Sequence, residues 1–245
     1  MVKMKENDSV VEKRNVRLVH GDSRKLLRGF PDCYFDAIIT DPPYGIGFED
    51  YDSSAEVFFE LEEEFFRVLK KGGWFVFWWS TKKIPDIAKI KKFAYRWMLI
   101  AEIKGATGKS IAGDRTYASI FVFSKGDAKV KARFADMLPA VELPQMNGRK
   151  IKQGDFKPTY VQGCLLSMFA GKNGKVLDPF AGFGSLLLSA LLTGTGKEVW
   201  GVEIDEARFE VAKKILEHER IPGAIPDMLN GLMEKATIGL FGGSE

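Results

Sequence analysis

Cysteine and histidine are almost absent: two of each stand in 245 residues, with Cys33 and Cys164 far apart and no Cys-x-x-Cys pair. That scarcity argues against a disulfide framework and against a Cys/His zinc site. Long hydrophobic runs are missing too. The longest uninterrupted apolar stretch is Trp74 to Trp79, far short of the roughly 20 residues that span a bilayer, and Met1 to Glu12 is too polar for a secretory signal. A cytoplasmic location without membrane contact is expected. Net charge is small, with 36 Lys and Arg against 33 Asp and Glu, but it is unevenly spread. Lys82 to Lys157 carries 17 basic and 7 acidic residues, or +10, which leaves −7 for the remainder. A polyanion would meet the middle of the chain. With 45% apolar residues, the length suits one large α/β domain with room for a small insert.

What is present starts with Phe35 to Thr40 (FDAIIT), which has the β-branched, apolar character of a buried parallel strand. Asp41-Pro42-Pro43-Tyr44-Gly45 follows, and the prolines must end the strand because neither can donate to a ladder. A carboxylate, a proline carbonyl and an aromatic ring are thereby held at a strand's carboxyl end, where open α/β sheets bind ligands. This set suits methylation of an exocyclic amino nitrogen of a nucleobase, a poor nucleophile because its lone pair is delocalised into the ring. Asp41 and the Pro42 carbonyl can each accept one amino hydrogen while Tyr44 stacks on the base, which must first be flipped out of a duplex. A Pro-Pro turn with a helix-capping acid would look the same in isolation.

The rest of the chain adds context. Met1 to Arg14 reads as a frayed end, and strands are expected at Val16–His20, Trp74–Trp79, Met98–Ile103, Ser119–Phe123, Val176–Asp178 and Val199–Ile204. Helices are expected over Ser23–Arg28, Glu56–Lys70, near Ile84–Phe93, and over Thr159–Phe169, Leu186–Leu192 and Glu206–His218. Asp22, just past the first strand, is as good an N-cap as a ligand contact, and Asp205 is an N-cap. The three tryptophans of Trp74–Trp79 are read as core. From Lys125 to Asp155 the pattern breaks down into an irregular, basic stretch. Lys157-Pro158 can open the next helix. Asp178-Pro-Phe-Ala-Gly-Phe-Gly184 then forms a strand–glycine turn–helix unit, with Glu203 placed nineteen residues after Gly184 and suited to ribose hydroxyls. A nucleoside cofactor fits. The third glycine of the dinucleotide fingerprint is absent, so hydride transfer is disfavoured.

Together, DPPYG before DPFAGFG, with GD upstream of the first, KP upstream of the second and VEID downstream, resembles the β group of amino-group DNA methyltransferases across roughly residues 16–216. The resemblance implies a single Rossmann-like domain with a mostly parallel seven-stranded sheet and a circularly permuted motif order. It divides into a catalytic half (15–124), a small target-recognition insert (125–156), a cofactor-binding half (157–220) and a tail (221–245). It implies S-adenosyl-L-methionine as cofactor, double-stranded DNA as partner and no metal. Asp41, Pro42, Pro43 and Tyr44 would be catalytic. Asp178, Phe180, Gly182 and Gly184 would form the cofactor loop, Glu203 the ribose acid, Asp22 the contact to the cofactor adenine, and Lys157-Pro158 the segment near the methionine. Arg149, Lys150 and Lys152 would bind nucleic acid. The acid at position 41 favours N6 of adenine over N4 of cytosine; an RNA-directed or non-catalytic member of the same fold is the other reading. So small an insert suits a short target or a homodimer that shares the reading.

Overall fold

The computed structural model describes residues 9–45, 55–103, 109–111, 113–141, 145–146, 149–150 and 156–219. Nine strands form its main sheet: β1 (Val10–Lys13), β2 (Val16–His20), β3 (Phe35–Thr40), β4 (Leu69–Trp79), β5 (Ala94–Ile103), β6 (Tyr117–Ser124), β7 (Met137–Val141), β8 (Lys175–Asp178) and β9 (Glu198–Glu203). Their order across the sheet is β1-β2-β9-β8-β3-β4-β6-β5-β7. Strands β2, β9, β8, β3 and β4 run parallel; β1 and β6 are antiparallel to their neighbours, and β7 lies parallel to β5.

The helices are α1 (Ser23–Leu26), α2 (Glu56–Glu60), α3 (Glu62–Val68), α4 (Thr159–Phe169), α5 (Ser185–Thr193) and α6 (Glu206–His218). Strand alternation sorts them into two layers. Trp74, Val76 and Trp78 face a core shared with α4, α5 and α6, whereas Phe75, Phe77 and Trp79 face a core shared with α1, α2 and α3. Helix α4 is buried along nearly its whole length, consistent with its mostly apolar sequence TYVQGCLLSMF. No helix among the described residues is long and apolar enough to cross a membrane.

All seven expected strands are present, but the sheet has nine. The first addition, β1, lies where a frayed end was expected: its alternately exposed, charge-bearing pattern VVEK is that of an edge strand, which hides its period from the sequence. The second, β7, comes from the stretch expected to be an irregular insert. Glu56–Lys70 divides at Leu61, and Lys71-Gly72-Gly73 belongs to β4 instead of capping a helix. There the Gly72 amide donates to the Lys125 carbonyl and the Lys125 amide to the Gly73 carbonyl, extending the β4–β6 pair. The basic stretch after β4 is 3-10 turn (Thr81–Lys89) rather than α-helix, since Pro85 sits inside it and Lys83 leaves helical backbone angles. The expected tail, 221–245, lies outside the described residues.

Topology fixes where a ligand can enter. From β8 the chain returns to β9 through α5 on one face; from β3 it returns to β4 through α2 and α3 on the other. The carboxyl ends of β8 and β3 are therefore the switch point of the sheet, where adjacent loops diverge and leave a crevice.

Candidate active site

Four acids stand at the carboxyl ends of four neighbouring parallel strands: Asp22 after β2, Glu203 at the end of β9, Asp178 at the end of β8 and Asp41 after β3. No single sequence motif contains all four. The β8 turn is knitted to its surroundings mainly by backbone groups. Asp178 is buried and accepts from the Thr40 hydroxyl (2.6 Å) and the Phe180 amide (3.2 Å). Burial, reinforced by the charges of Asp41 and Glu203, pushes its carboxyl up to about 7 against those hydrogen bonds. Glu203 is also buried and accepts from the Gly182 amide (2.7 Å) and the Asp205 amide (2.8 Å); burial raises its carboxyl above the usual range. Gly182 and Gly184 both adopt left-handed φ, +53° and +79°. A Cβ on Gly182 would meet nothing within 4 Å, so this residue borders open space, whereas Gly184 packs against Ala212 of α6.

Asp22 caps α1 through the Arg24 amide (2.9 Å), and both its oxygens bond the Arg24 side chain. Burial pushes this carboxyl up, but the Arg24 hydrogen bonds and charge outweigh it and hold the group below the usual carboxylate range. Of the two readings for Asp22, the cap is thus present. Ser23 beside it ties the two turns together by donating to the Pro179 carbonyl at 2.6 Å.

The Asp41 turn is held differently, by side chains. Tyr44 donates its hydroxyl to Asp41 Oδ1, and its ring meets Trp79 edge-on at 5.6 Å. Lys157 places Nζ 2.5 Å from Asp41 Oδ2. Lys157 is buried over the rings of Trp78 (5.5 Å) and Tyr44 (5.9 Å). Pro158 caps α4 and receives the Gln162 amide on its carbonyl. Phe180 is half-buried against the α2 side of the sheet, 6.4 Å from the Phe58 ring. Arg149 and Lys150 form one strand of a two-stranded ribbon separate from the main sheet, and Lys152 lies outside the described residues.

Several contributors are not legible in the motifs. Trp78 and Trp79 are core residues, as expected, but they also wall the Asp41 turn. Thr40, the last residue of β3, binds Asp178 and so joins the two turns. Gln162 is buried on α4, donates to Ser185 Oγ at the start of α5, and leaves Oε1 without a hydrogen-bond partner. A glutamine in a mostly apolar helix was the available signal. A buried orphan acceptor beside the glycine loop suits a ligand that brings a cation, as the ammonium of a methionine moiety does. With the Glu203 carboxylate bonded to the glycine-loop amide of Gly182 and open space over Gly182, the residues present fit S-adenosylmethionine. No group of three or more His, Cys, Asp or Glu among the described residues is placed to hold a metal ion.

A switch-point crevice lined by a glycine loop, the buried Glu203 carboxylate and a DPPY turn suits a nucleoside-cofactor methyltransferase of Rossmann-like fold. The DNA methylase family N6_N4_Mtase matches residues 35–214, and the chain belongs to it. Escherichia coli (strain K12) YubD is 30% identical over 208 residues, which cover 78% of this chain and 85% of that protein. The DNA adenine methyltransferase YhdJ of the same organism is 27% identical over 245 residues, covering 82% of each. The crystal structure of the M1.HpyAVI–SAM complex superposes with a TM-score of 0.66 at 21% identity, over 82% of this chain and 98% of that one, a likeness of fold. The chain is thus a DNA methyltransferase that uses S-adenosylmethionine.

Proposed function

We propose that this methyltransferase modifies the N6 amino group of adenine in double-stranded DNA, acting on a base turned out of the helix. The observation that carries the reading is the acid of the turn. Asp41 is oriented by Tyr44 and Lys157, yet its side chain keeps 22% exposure on the crevice side of the sheet. Each carboxylate oxygen can accept two hydrogen bonds, so Asp41 can still take an amino hydrogen. The Pro42 carbonyl takes the second, which localises the nitrogen lone pair, and the half-buried Tyr44 ring supplies stacking surface. Bound S-adenosylmethionine supplies an electrophilic methyl on sulfur: the N–C bond forms as the C–S bond breaks, its electron pair staying on sulfur. The protein's part is to hold and aim the nucleophile, with the shed proton passing along the Asp41 hydrogen bond to solvent.

In this reading Glu203 and Asp178 bind the cofactor with Phe180, Gly182, Gly184 and Asp22, residues 15–124 act as the catalytic half and 157–220 as the cofactor half. Arg149, Lys150 and Lys152 contact DNA phosphates, and the target is either short or read jointly by two copies. The adenine relative YhdJ and the acid at position 41 favour adenine. The test is incubation with methyl-labelled cofactor and mixed-sequence DNA, digestion to nucleosides and identification of the labelled one. Label in N6-methyladenine is expected. Label in N4-methylcytosine would overturn the base and keep the chemistry; label only in RNA would overturn the substrate class.

A further inference from the structure

We infer that Lys157 is a positioning residue for methyl transfer, acting through Asp41. The inference rests on the reading of Asp41 as the base-binding acid. The two carboxylate oxygens of Asp41 are held by different groups: Tyr44 donates to Oδ1, while Nζ of Lys157 stands 2.5 Å from Oδ2. Lys157 reaches this place from outside the Asp41 turn, since Phe156, Lys157 and Pro158 are all buried at the start of α4. The Lys157 side chain keeps only 5% exposure, and its ammonium lies over the Trp78 and Tyr44 rings.

An ammonium so placed is desolvated, and its attraction for a carboxylate is much stronger than on a surface. Asp41 and Asp178 stand at the carboxyl ends of the adjacent strands β3 and β8, and the Asp41 charge is felt by Asp178. The Lys157 cation offsets that repulsion and fixes the carboxylate plane. Asp41 is thereby kept as a hydrogen-bond acceptor aimed into the crevice. A carboxylate free to rotate would lose its alignment with the amino group, and a misplacement of about 1 Å costs on the order of 100-fold in rate.

The test is Lys157→Ala in the full chain, read by calorimetric titration with S-adenosylmethionine and by single-turnover methyl transfer to DNA. Cofactor affinity should be unchanged while the rate at saturating cofactor falls about 100-fold, and added propylammonium should recover part of it by entering the vacated site. Weakened cofactor affinity with a rate restored by saturation would make Lys157 a methionine ligand and overturn the inference. A lowered melting temperature with no recovery by the amine would make its role structural and also overturn it. If this variant does not fold, Lys157→Arg is read the same way: reduced rate at unchanged affinity upholds the inference, and any other pattern overturns it. Wild-type protein that binds cofactor but labels no DNA would instead remove the reading of Asp41 on which it rests.

Discussion

The two turns at the centre of the sheet carry acids in similar positions but stabilise them in opposite ways. After β8, Asp178 and Glu203 accept hydrogen bonds from backbone amides and, for Asp178, a hydroxyl; burial raises both carboxyls above their usual range against those bonds and, for Glu203, against the Arg208 charge. After β3, Asp41 is met by a full positive charge from Lys157 and by the Tyr44 hydroxyl. Buried carboxylates whose hydrogen bonds come only from neutral groups are costly until a cation arrives, which suits a pocket for a positively charged cofactor. A carboxylate that already has its cation is suited to a different task, accepting hydrogens from a neutral amino group. One turn is prepared to bind charge and the other to aim a base.

This contrast breaks most severely at Asp41. Asp41→Ala should lower methyl transfer by about 1,000-fold or more, since it removes the group that orients the nucleophile, while S-adenosylmethionine affinity stays nearly unchanged. Equal loss of affinity and rate, measured by calorimetry and methyl incorporation, would place the residue in the wrong pocket.

Glu203 offers the converse. Glu203→Ala should weaken cofactor binding by about 1–3 kcal/mol, because the ribose hydroxyls lose their acceptor and the Gly182 and Asp205 amides are left unpaired. Glu203→Gln, which keeps an acceptor oxygen, should lose less. Calorimetry that finds no change would reduce the residue to a strand end.

The contrast also predicts a pH dependence confined to the cofactor side. Asp178 is protonated in the free protein below about pH 7. A cationic ligand favours its ionised form, so a proton must be released on binding at low pH. Cofactor affinity should therefore fall as pH drops below 7, by at most about tenfold per unit, and level off above it. The sign for stability is opposite: the raised carboxyl costs the folded state increasingly as pH rises from about 4 to about 7. Titrations in buffers of different ionisation enthalpy would detect the proton, and a flat profile would show that Asp178 does not sense the ligand.

The mildest effect concerns DNA. Neutralising Arg149, Lys150 and Lys152 should reduce the salt dependence of DNA affinity by roughly 0.9 in slope for each phosphate that those side chains neutralise. An unchanged slope in fluorescence titrations would move the DNA-binding surface to the lysines of the Thr81–Lys89 segment.

How legible the molecule is from its sequence depends on the range of the interaction. The β3 strand, the prolines that end it, the glycine loop after β8, and helices α4 and α6 over their expected spans follow from local rules: apolar runs, missing donors, left-handed φ and capping acids. Those rules act within a few residues, so they hold without knowledge of the fold. Edge strand β1, the broken helix at Leu61 and the 3-10 turn of Thr81–Lys89 escape them because pairing partners and solvent exposure decide these elements, and both are properties of the assembled sheet. Lys157 shows the limit most clearly. Its position before Pro158 marks a helix start, and nothing in the sequence says that its ammonium meets Asp41, 116 positions earlier. That meeting occurs because β8 and β9, late in the chain, lie between β2 and β3, early in it, and bring α4 over the carboxyl end of β3. Residue order alone settles which chemical groups the protein brings to its turns. Which acid receives a cation and which must wait for one is settled by the folded arrangement, because charge pairing at a buried site depends on distances that chain order does not contain.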